Sequence, residues 1–199
     1  MSCGINHAMY INLDRRVDRR EQIEAEMERL GIPCQRFAAV PTGGIGCMQS
    51  HIEVLRLALE RGYEHILVLE DDFQAVVDPD TFRSLVMGVL ESGLEYDVLM
   101  LSHNIQRSEP GPRAELVRVL EAQTASGYLV HGSYIQKLLS IFEENLPLFK
   151  SSGAHWIYAN DQIWKRLQPL DRWYAFEPRL GIQRESYSDL AGHVVNYGV

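Results

Sequence analysis

Cysteine is scarce in this chain. Cys3, Cys34 and Cys47 are the only three in 199 residues, and no two of them form a CxxC pair. That excludes a disulfide framework and a cysteine-built structural zinc site, and it favours a reducing compartment. Long apolar stretches are also missing, since no uninterrupted run exceeds five residues, far short of a membrane span. The N-terminus Met1-Ser2-Cys3-Gly4 shows no basic segment followed by an apolar one, so the chain reads as cytoplasmic and without a secretory signal. Basic residues are outnumbered, 19 against 27 acidic, for a net charge of −8, which excludes a general nucleic-acid binder. Familiar catalytic signatures are absent as well. Gly44-Ile45-Gly46 has no third glycine to complete GxGxxG, no Lys-Ser/Thr ends a triphosphate loop, and there is no GxSxG. The seven histidines include no i, i+4 pair of the kind that holds zinc on a helix.

What remains is ordinary globular composition, 46% hydrophobic and 23% charged, enough for one domain over 1–199 with a sizeable core. A first strand is expected over Ala8 to Leu13. Asp18 and Glu21 then read as a capping box for a helix with Ile23, Met27 and Leu30 on its buried stripe, stopped by Gly31. Pro33 to Val40 reads as a short strand, Pro41 to Gly46 as a loop, and Met48 to Arg61 as a helix. Further helices are expected from Asp78-Pro79 towards Leu90, over Tyr134 to Glu144 and over Asn160 to Leu167. Ile66 to Leu69, Val98 to Leu101 and Tyr128 to Val130 read as buried strands, the stretch His103 to Arg113 as a mobile loop, and the tail after Pro178 as irregular. Strands alternating with helices predict a mainly parallel α/β sheet.

The run Ile66-Leu67-Val68-Leu69-Glu70-Asp71-Asp72-Phe73 carries the most chemical information. Three carboxylates arrive where a buried strand must end, and clustered acids repel one another. A divalent cation with oxygen ligands, shared with a phosphate, makes such a cluster favourable, and open α/β sheets bind ligands beyond the carboxyl ends of their strands. A bare Glu-Asp-Asp reads equally as a solvated acidic turn. Beyond the first strand, Asn12-Leu13-Asp14-Arg15-Arg16-Val17-Asp18-Arg19-Arg20 sets four arginines near the same sheet edge, either to meet a diphosphate or simply as a charged helix start. Gly43-Gly44-Ile45-Gly46 precedes a helix carrying Ser50 and His51, a weak ligand signal on its own.

Taken together and in order, these blocks resemble glycosyltransferase family 25, which includes lipooligosaccharide and collagen galactosyltransferases. The resemblance rests on Ile11 to Arg16 with Asp18-Arg19-Arg20, Phe37 to Val40, Gly46-Cys47 with Ser50-His51, and Leu67 to Asp72. It continues through Thr124 to Val130, Asp161, Pro178 to Gln183 and Ser188-Asp189. Only Pro41 to Ile45 separate two blocks between which family members usually carry a longer insertion, and members are often longer than 199 residues. The resemblance implies a GT-A type fold, a single α/β/α sandwich around a nucleotide-binding sheet. It implies transfer of a hexose, galactose or glucose, from a UDP-sugar to a glycan or other hydroxyl acceptor with inversion, lipopolysaccharide-type glycans among them. Asp72 would ligate Mn²⁺ or Mg²⁺ directly, with Asp189 and His193 as candidate further ligands from the tail. Glu70 or Asp71 would orient the ribose or reach the metal through water. Asn12, Asp14, Arg15 and Arg20 would surround uracil and ribose, Ser50 and His51 would contact the ligand, and Gly127 and Tyr128 would line the sugar side. Asp161 stands where the family carries an acidic residue before a helix, a candidate general base, although the local sequence serves equally as a helix cap.

Two other classes stay in view. A Mg²⁺-dependent phosphatase or phosphotransferase also sets acids at a strand end, but its pattern needs Asp-x-Asp led by the nucleophile. A non-catalytic sugar-nucleotide binder would keep the same residues without turnover.

Overall fold

The computed structural model describes residues 4–188, 193–195 and 198. An eight-stranded sheet forms the middle layer. Its strands are β1 (Ala8–Asn12), β2 (Gln35–Ala38), β3 (His65–Glu70), β5 (Val98–Met100), β6 (Asn104–Pro110), β7 (Leu116–Gln123), β8 (Gly127–His131) and β9 (Trp173–Phe176), in the spatial order β2-β1-β3-β8-β5-β9-β7-β6. Strands β1, β2, β3, β5, β6 and β9 point one way, while β7 and β8 run against them. The sheet is therefore mixed but mostly co-directional. Two short pairs lie outside it: β4 (Phe73–Ala75) with β10 (Gly181–Gln183), and β11 (Ser186–Ser188) with β12 (His193–Val195).

Side-chain alternation along the strands builds a core on each face. Met9, Ile11, Ile66, Val68, Val98, Met100 and Val130 face α2 (Gly43–Glu60) and α4 (Gly132–Ser152), together with α5 (His155–Tyr158), α6 (Asn160–Ile163) and the 3₁₀ turn at Trp164–Arg166. Ala8, Tyr10, Leu67, Leu69, Leu99 and Leu129 face α1 (Val17–Leu30) and α3 (Pro79–Leu90). The layers are α/β/α, as expected.

Several elements differ from the sequence-based expectation, each for a local reason. Asp18 does not cap α1. The helix starts at Val17, two residues earlier than a cap at Asp18 would place it, and Asp18 accepts hydrogen bonds from Arg16 Nε and Nη2 at 3.0 and 2.8 Å. Helix α2 begins at Gly43, taking the glycine loop into its first turn. Helix α4 runs from Gly132 through Pro147 to Ser152, longer at both ends than predicted. The stretch expected to be a mobile loop is β6, the exposed edge strand of a hairpin with β7; its polar face towards solvent hides the strand period. The tail after Pro178 contains β10, whose pairing with β4 bridges residues more than a hundred positions apart. Gly31 and Asp78 act as expected. Gly31 closes α1 in the left-handed conformation, and Asp78 accepts from the amides of Asp80 and Thr81.

The chain leaves β1 through α1 on one face to the outer strand β2, then crosses back through α2 on the opposite face to β3 on the other side of β1. The two crossovers diverge between β1 and β3, and that divergence opens a crevice beyond their carboxyl ends. Asn12 and Glu70 end those two strands, with Ile11 in register with Glu70. Strand β8 enters antiparallel, so Gly127 and Tyr128, at its start, fall at the same edge beside Leu69 and Val68.

Phe73 fixes the turn that follows β3. A Cβ on Gly127 would lie 2.6 Å from its ring, and one on Gly181 only 2.2 Å. Both positions are therefore closed to any side chain while Phe73 holds its place. Gly127→Ala is expected to lower the Tm by roughly 2–10 °C through overpacking. The loss should shrink in a Phe73→Leu background, as read by calorimetry on the four proteins of the cycle; an equal loss in both backgrounds would rule out the contact as its cause.

Candidate active site

A cleft of about 250 Å³ opens at the β1/β3 divergence, lined among others by Leu13, Arg15, Arg16, Arg19, Val40, Cys47, Glu70, Asp71, Asp72 and Gln183. The three acids of the β3 turn sit there in three different environments.

Glu70 is tied to the protein by a chain of buried groups. His51 Nε2 lies 3.1 Å from Glu70 Oε1, and His51 Nδ1 lies 2.7 Å from the Tyr128 hydroxyl. The Cys47 thiol donates to the same Glu70 oxygen at 3.5 Å. Burial alone would raise the Glu70 carboxyl, but His51, the Cys47 thiol and the Arg19 charge together outweigh it and hold the group below its ordinary value. Asp71 has both oxygens occupied. Asn12 Nδ2 donates to Oδ2 at 2.7 Å, and Arg19 Nη1 donates to Oδ1 at 2.9 Å. Burial raises its pKa, with Arg19 and Asn12 opposing. Two occupied oxygens also suit Asp71 poorly as a phosphatase nucleophile.

Asp72 is the exposed nerve of the triplet. Its Oδ2 accepts from Arg19 Nη1 at 3.1 Å and from Gln183 Nε2 at 3.0 Å, and its backbone oxygen accepts from the Arg184 amide at 2.7 Å. Its Oδ1 is buried with no hydrogen-bond partner. Burial, reinforced by the Glu70 charge, pushes the carboxyl up to about 7. A buried carboxyl oxygen left without a partner is costly once it is ionised, and a cation is one way to satisfy it. Mg²⁺ and Mn²⁺ suit a site with one or two carboxylates that relies on phosphate oxygens and waters for the rest. The Asp72 oxygen and the arginine-lined cleft beside it meet that description.

The other sequence-derived candidates divide clearly. Arg15 lines the cleft, whereas Asn12 is buried behind its lining, donating to Asp71 and accepting from Arg36 Nε through Oδ1 at 3.0 Å. Asp14 lies outside, exposed and paired with Arg36 at 2.6 Å. Arg20 points away, pairing with Glu24 at 2.9 Å along the helix. The arginine that reaches the acids is Arg19, which the motif reading passed over. Arg16 and Arg19, three apart on one helix face, were the available signal. Ser50 is fully buried and serves the backbone, donating to Gly46 O at 2.7 Å and accepting from Val40 N at 2.9 Å. Gly127 seats Phe73, and Tyr128 is buried behind His51. Asp189 lies outside the described residues. His193 is exposed on the β11–β12 hairpin and is not among the residues that line the cleft. Gln183 and Cys47 were missed: the first arrives through long-range strand pairing, and the second shows only once α2 faces β3.

Asp161 is in the second position of α6 rather than its cap. Its Oδ2 accepts from the Thr124 amide at 3.1 Å, and burial raises its carboxyl, with the Glu70 charge adding to the rise. Thr124 holds this amide in place at φ 85, a conformation rare for a β-branched residue and typical of functional sites.

No family model matches the chain. A curated protein named Glycosyltransferase 25 family member from Drosophila pseudoobscura pseudoobscura is 26% identical over 141 residues, covering 54% of this chain and 22% of that protein. A protein of the same name from Drosophila melanogaster is 23% identical over 173 residues, covering 69% of this chain and 28% of that one. The chain thus spans about a quarter of the length of the curated relatives it matches. Among solved structures, a glycosyltransferase involved in the glycosylation of the major capsid of PBCV-1 superposes with a TM-score of 0.54 at 12% identity, covering 89% of this chain and 91% of that one. The fold, a GT-A-like α/β arrangement, is shared with it.

The Asp72 environment makes a signed prediction for the metal-free protein. A carboxyl raised from 3.8 to about 7 on folding binds its proton more tightly in the native state, so it costs stability progressively as pH rises between those values. Asp72→Asn removes that cost. Its Tm relative to wild type should therefore climb by several degrees from pH 4.5 to pH 7.5 in chelator-treated buffer and level off above. A difference independent of pH would contradict the assignment.

Proposed function

We propose that this chain is the catalytic domain of a glycosyltransferase that moves a hexose, galactose or glucose, from a UDP-sugar to a hydroxyl of a glycan or similar acceptor, with inversion. The observation that carries the reading is the partnerless, buried Oδ1 of Asp72, a residue that lines the cleft together with Arg15, Arg16 and Arg19. The similarity to proteins named Glycosyltransferase 25 family member supports it.

In this reading Asp72 would hold Mn²⁺ or Mg²⁺ directly through its partnerless oxygen, and Asp71, engaged by Asn12 and Arg19, would contribute its charge or reach the ion through water. The bound cation supplies charge neutralisation for the diphosphate leaving group. Arg15, Arg16 and Arg19 draw the phosphate oxygens into the cleft and orient them. Arg19 also separates the charges of Asp71 and Asp72, so the acids keep their geometry before the donor arrives. Glu70, fixed by hydrogen bonds, offers carboxylate oxygens as acceptors to the nucleoside end, and Asn12 holds Asp71 in place from behind. Asp161 takes the proton of the acceptor hydroxyl as its oxygen attacks the anomeric carbon. The bond from that carbon to the β-phosphate breaks on the opposite side, and UDP leaves with the electron pair. The Asp161 carboxyl, raised by burial, is a stronger base than a free aspartate, as the role requires.

Thermal-shift measurements with UDP, ADP and GDP, each with and without Mn²⁺, test donor binding without an acceptor. UDP with Mn²⁺ should raise the Tm more than UDP alone, and Asp72→Asn should lose the metal-dependent increment. Release of UDP from UDP-galactose or UDP-glucose to water should fall by about 10²–10⁴-fold in Asp161→Asn, with UDP affinity nearly unchanged. Stabilisation indifferent to nucleobase and metal would overturn the proposal. Tight UDP-sugar binding with no turnover to water or to any of a panel of glycan acceptors would favour a sugar-nucleotide binder.

A further inference from the structure

Beside the acidic turn lies a second group of potential ligands with a different chemistry. Helix α2 presents Cys47 and His51 one turn apart on the same face, and Glu70 meets them from the end of β3. The Cys47 sulfur, a His51 ring nitrogen and a Glu70 oxygen all lie within 4.8 Å of one another. The Sγ–Oε1 separation is 3.5 Å and the Nε2–Oε1 separation 3.1 Å. Ligand pairs around a tetrahedral Zn²⁺ with bonds of about 2.0–2.3 Å stand roughly 3.3–3.8 Å apart, so small side-chain adjustments would complete the set.

We infer that Cys47, His51 and Glu70 form a binding site for a thiophilic divalent cation, Zn²⁺ or Cd²⁺, at the rim of the cleft. The inference rests on these three residues and stands whether or not the donor is a UDP-sugar. A sulfur, nitrogen and oxygen donor set selects a borderline-soft ion over Mg²⁺ or Mn²⁺, which take oxygen ligands. The orienting group a metal-bound histidine needs is already present. With a cation bound, the ring proton would sit on Nδ1, which lies 2.7 Å from the Tyr128 oxygen, and Nε2, which contacts Glu70 in the metal-free protein, would give its lone pair to the ion. Tyr128 is packed edge-on against Trp164, which holds the hydroxyl in place. Cys47 and Glu70 line the cleft, so the ion enters from that side and its fourth position faces the space a donor would occupy. Binding breaks the Cys47 S–H bond, forms a sulfur–metal bond and releases that proton to solvent. Such an ion takes Glu70 from the donor site, so thiophilic metals would block donor binding there.

Chelator-treated protein titrated with Co²⁺ and Cd²⁺ tests this directly. One equivalent should bind with a thiolate-to-metal charge-transfer band in the ultraviolet and release a proton. The band should vanish in Cys47→Ser and persist in Cys34→Ser, and Zn²⁺ affinity should fall at least about tenfold in Cys47→Ser. In the wild-type protein, Zn²⁺ should slow alkylation of Cys47, followed by peptide mapping, while leaving Cys34 unaffected. That second measurement decides the matter even if Cys47→Ser fails to fold. Unchanged Zn²⁺ affinity in a folded Cys47→Ser protein, or Cys47 alkylation indifferent to Zn²⁺, would overturn the site and leave the cluster as a hydrogen-bonded support for Glu70.

Discussion

The ring of Phe73 occupies the space that side chains on Gly127 and Gly181 would need, and the acidic turn immediately before it depends on that contact. Three parts of the chain meet there: the end of β3, the start of β8 and the late strand β10. The same meeting brings Gln183 to Asp72 and Arg184 to the turn backbone. Without a rigid anchor one residue downstream, three carboxylates in sequence would turn outwards and hydrate separately. The anchor keeps two of them buried, Asp71 at 7% and Asp72 at 4% exposure, at a cost in stability that the cation of the proposed reading would offset.

The electrostatics of the triplet follow from how unequally its neighbours are shared. Glu70 leans on His51, Asp71 on Asn12 and Arg19, while Asp72 receives only part of Arg19 and one amide donor. A single guanidinium cannot satisfy two buried carboxylates, and the shortfall falls on one named oxygen, Asp72 Oδ1. The arginines at the start of α1 and the crevice between two diverging crossovers put that oxygen where a diphosphate and its counterion would lie.

Much of this was legible from the residues. The buried strands β1, β3, β5 and β8, the α/β alternation and the acidic turn all follow from local pattern, because continuous aliphatic runs and their polar ends are local facts. Which arginine reaches the acids was not legible: Arg19 and Arg20 are adjacent, and only the true start of α1 at Val17 turns Arg19 inwards and Arg20 towards Glu24. Ser50 and Gly127 looked like ligand contacts yet serve the backbone and the Phe73 ring. The β6–β7 hairpin escaped notice because an exposed edge strand carries little hydrophobic alternation. Gln183, Cys47 and the Tyr128–His51–Glu70 chain are products of tertiary pairing and leave no mark in a linear window.

The central claim is that the Asp72 oxygen exists to bind a cation together with a diphosphate. Electron paramagnetic resonance of Mn²⁺ with the chain, with UDP and with UDP carrying ¹⁷O in its β-phosphate tests it most directly. The account predicts a bound Mn²⁺ signal that appears fully only with UDP, broadens with the ¹⁷O label, and disappears in Asp72→Asn. A bound signal that is unaffected by the label, or that survives in Asp72→Asn, would contradict it.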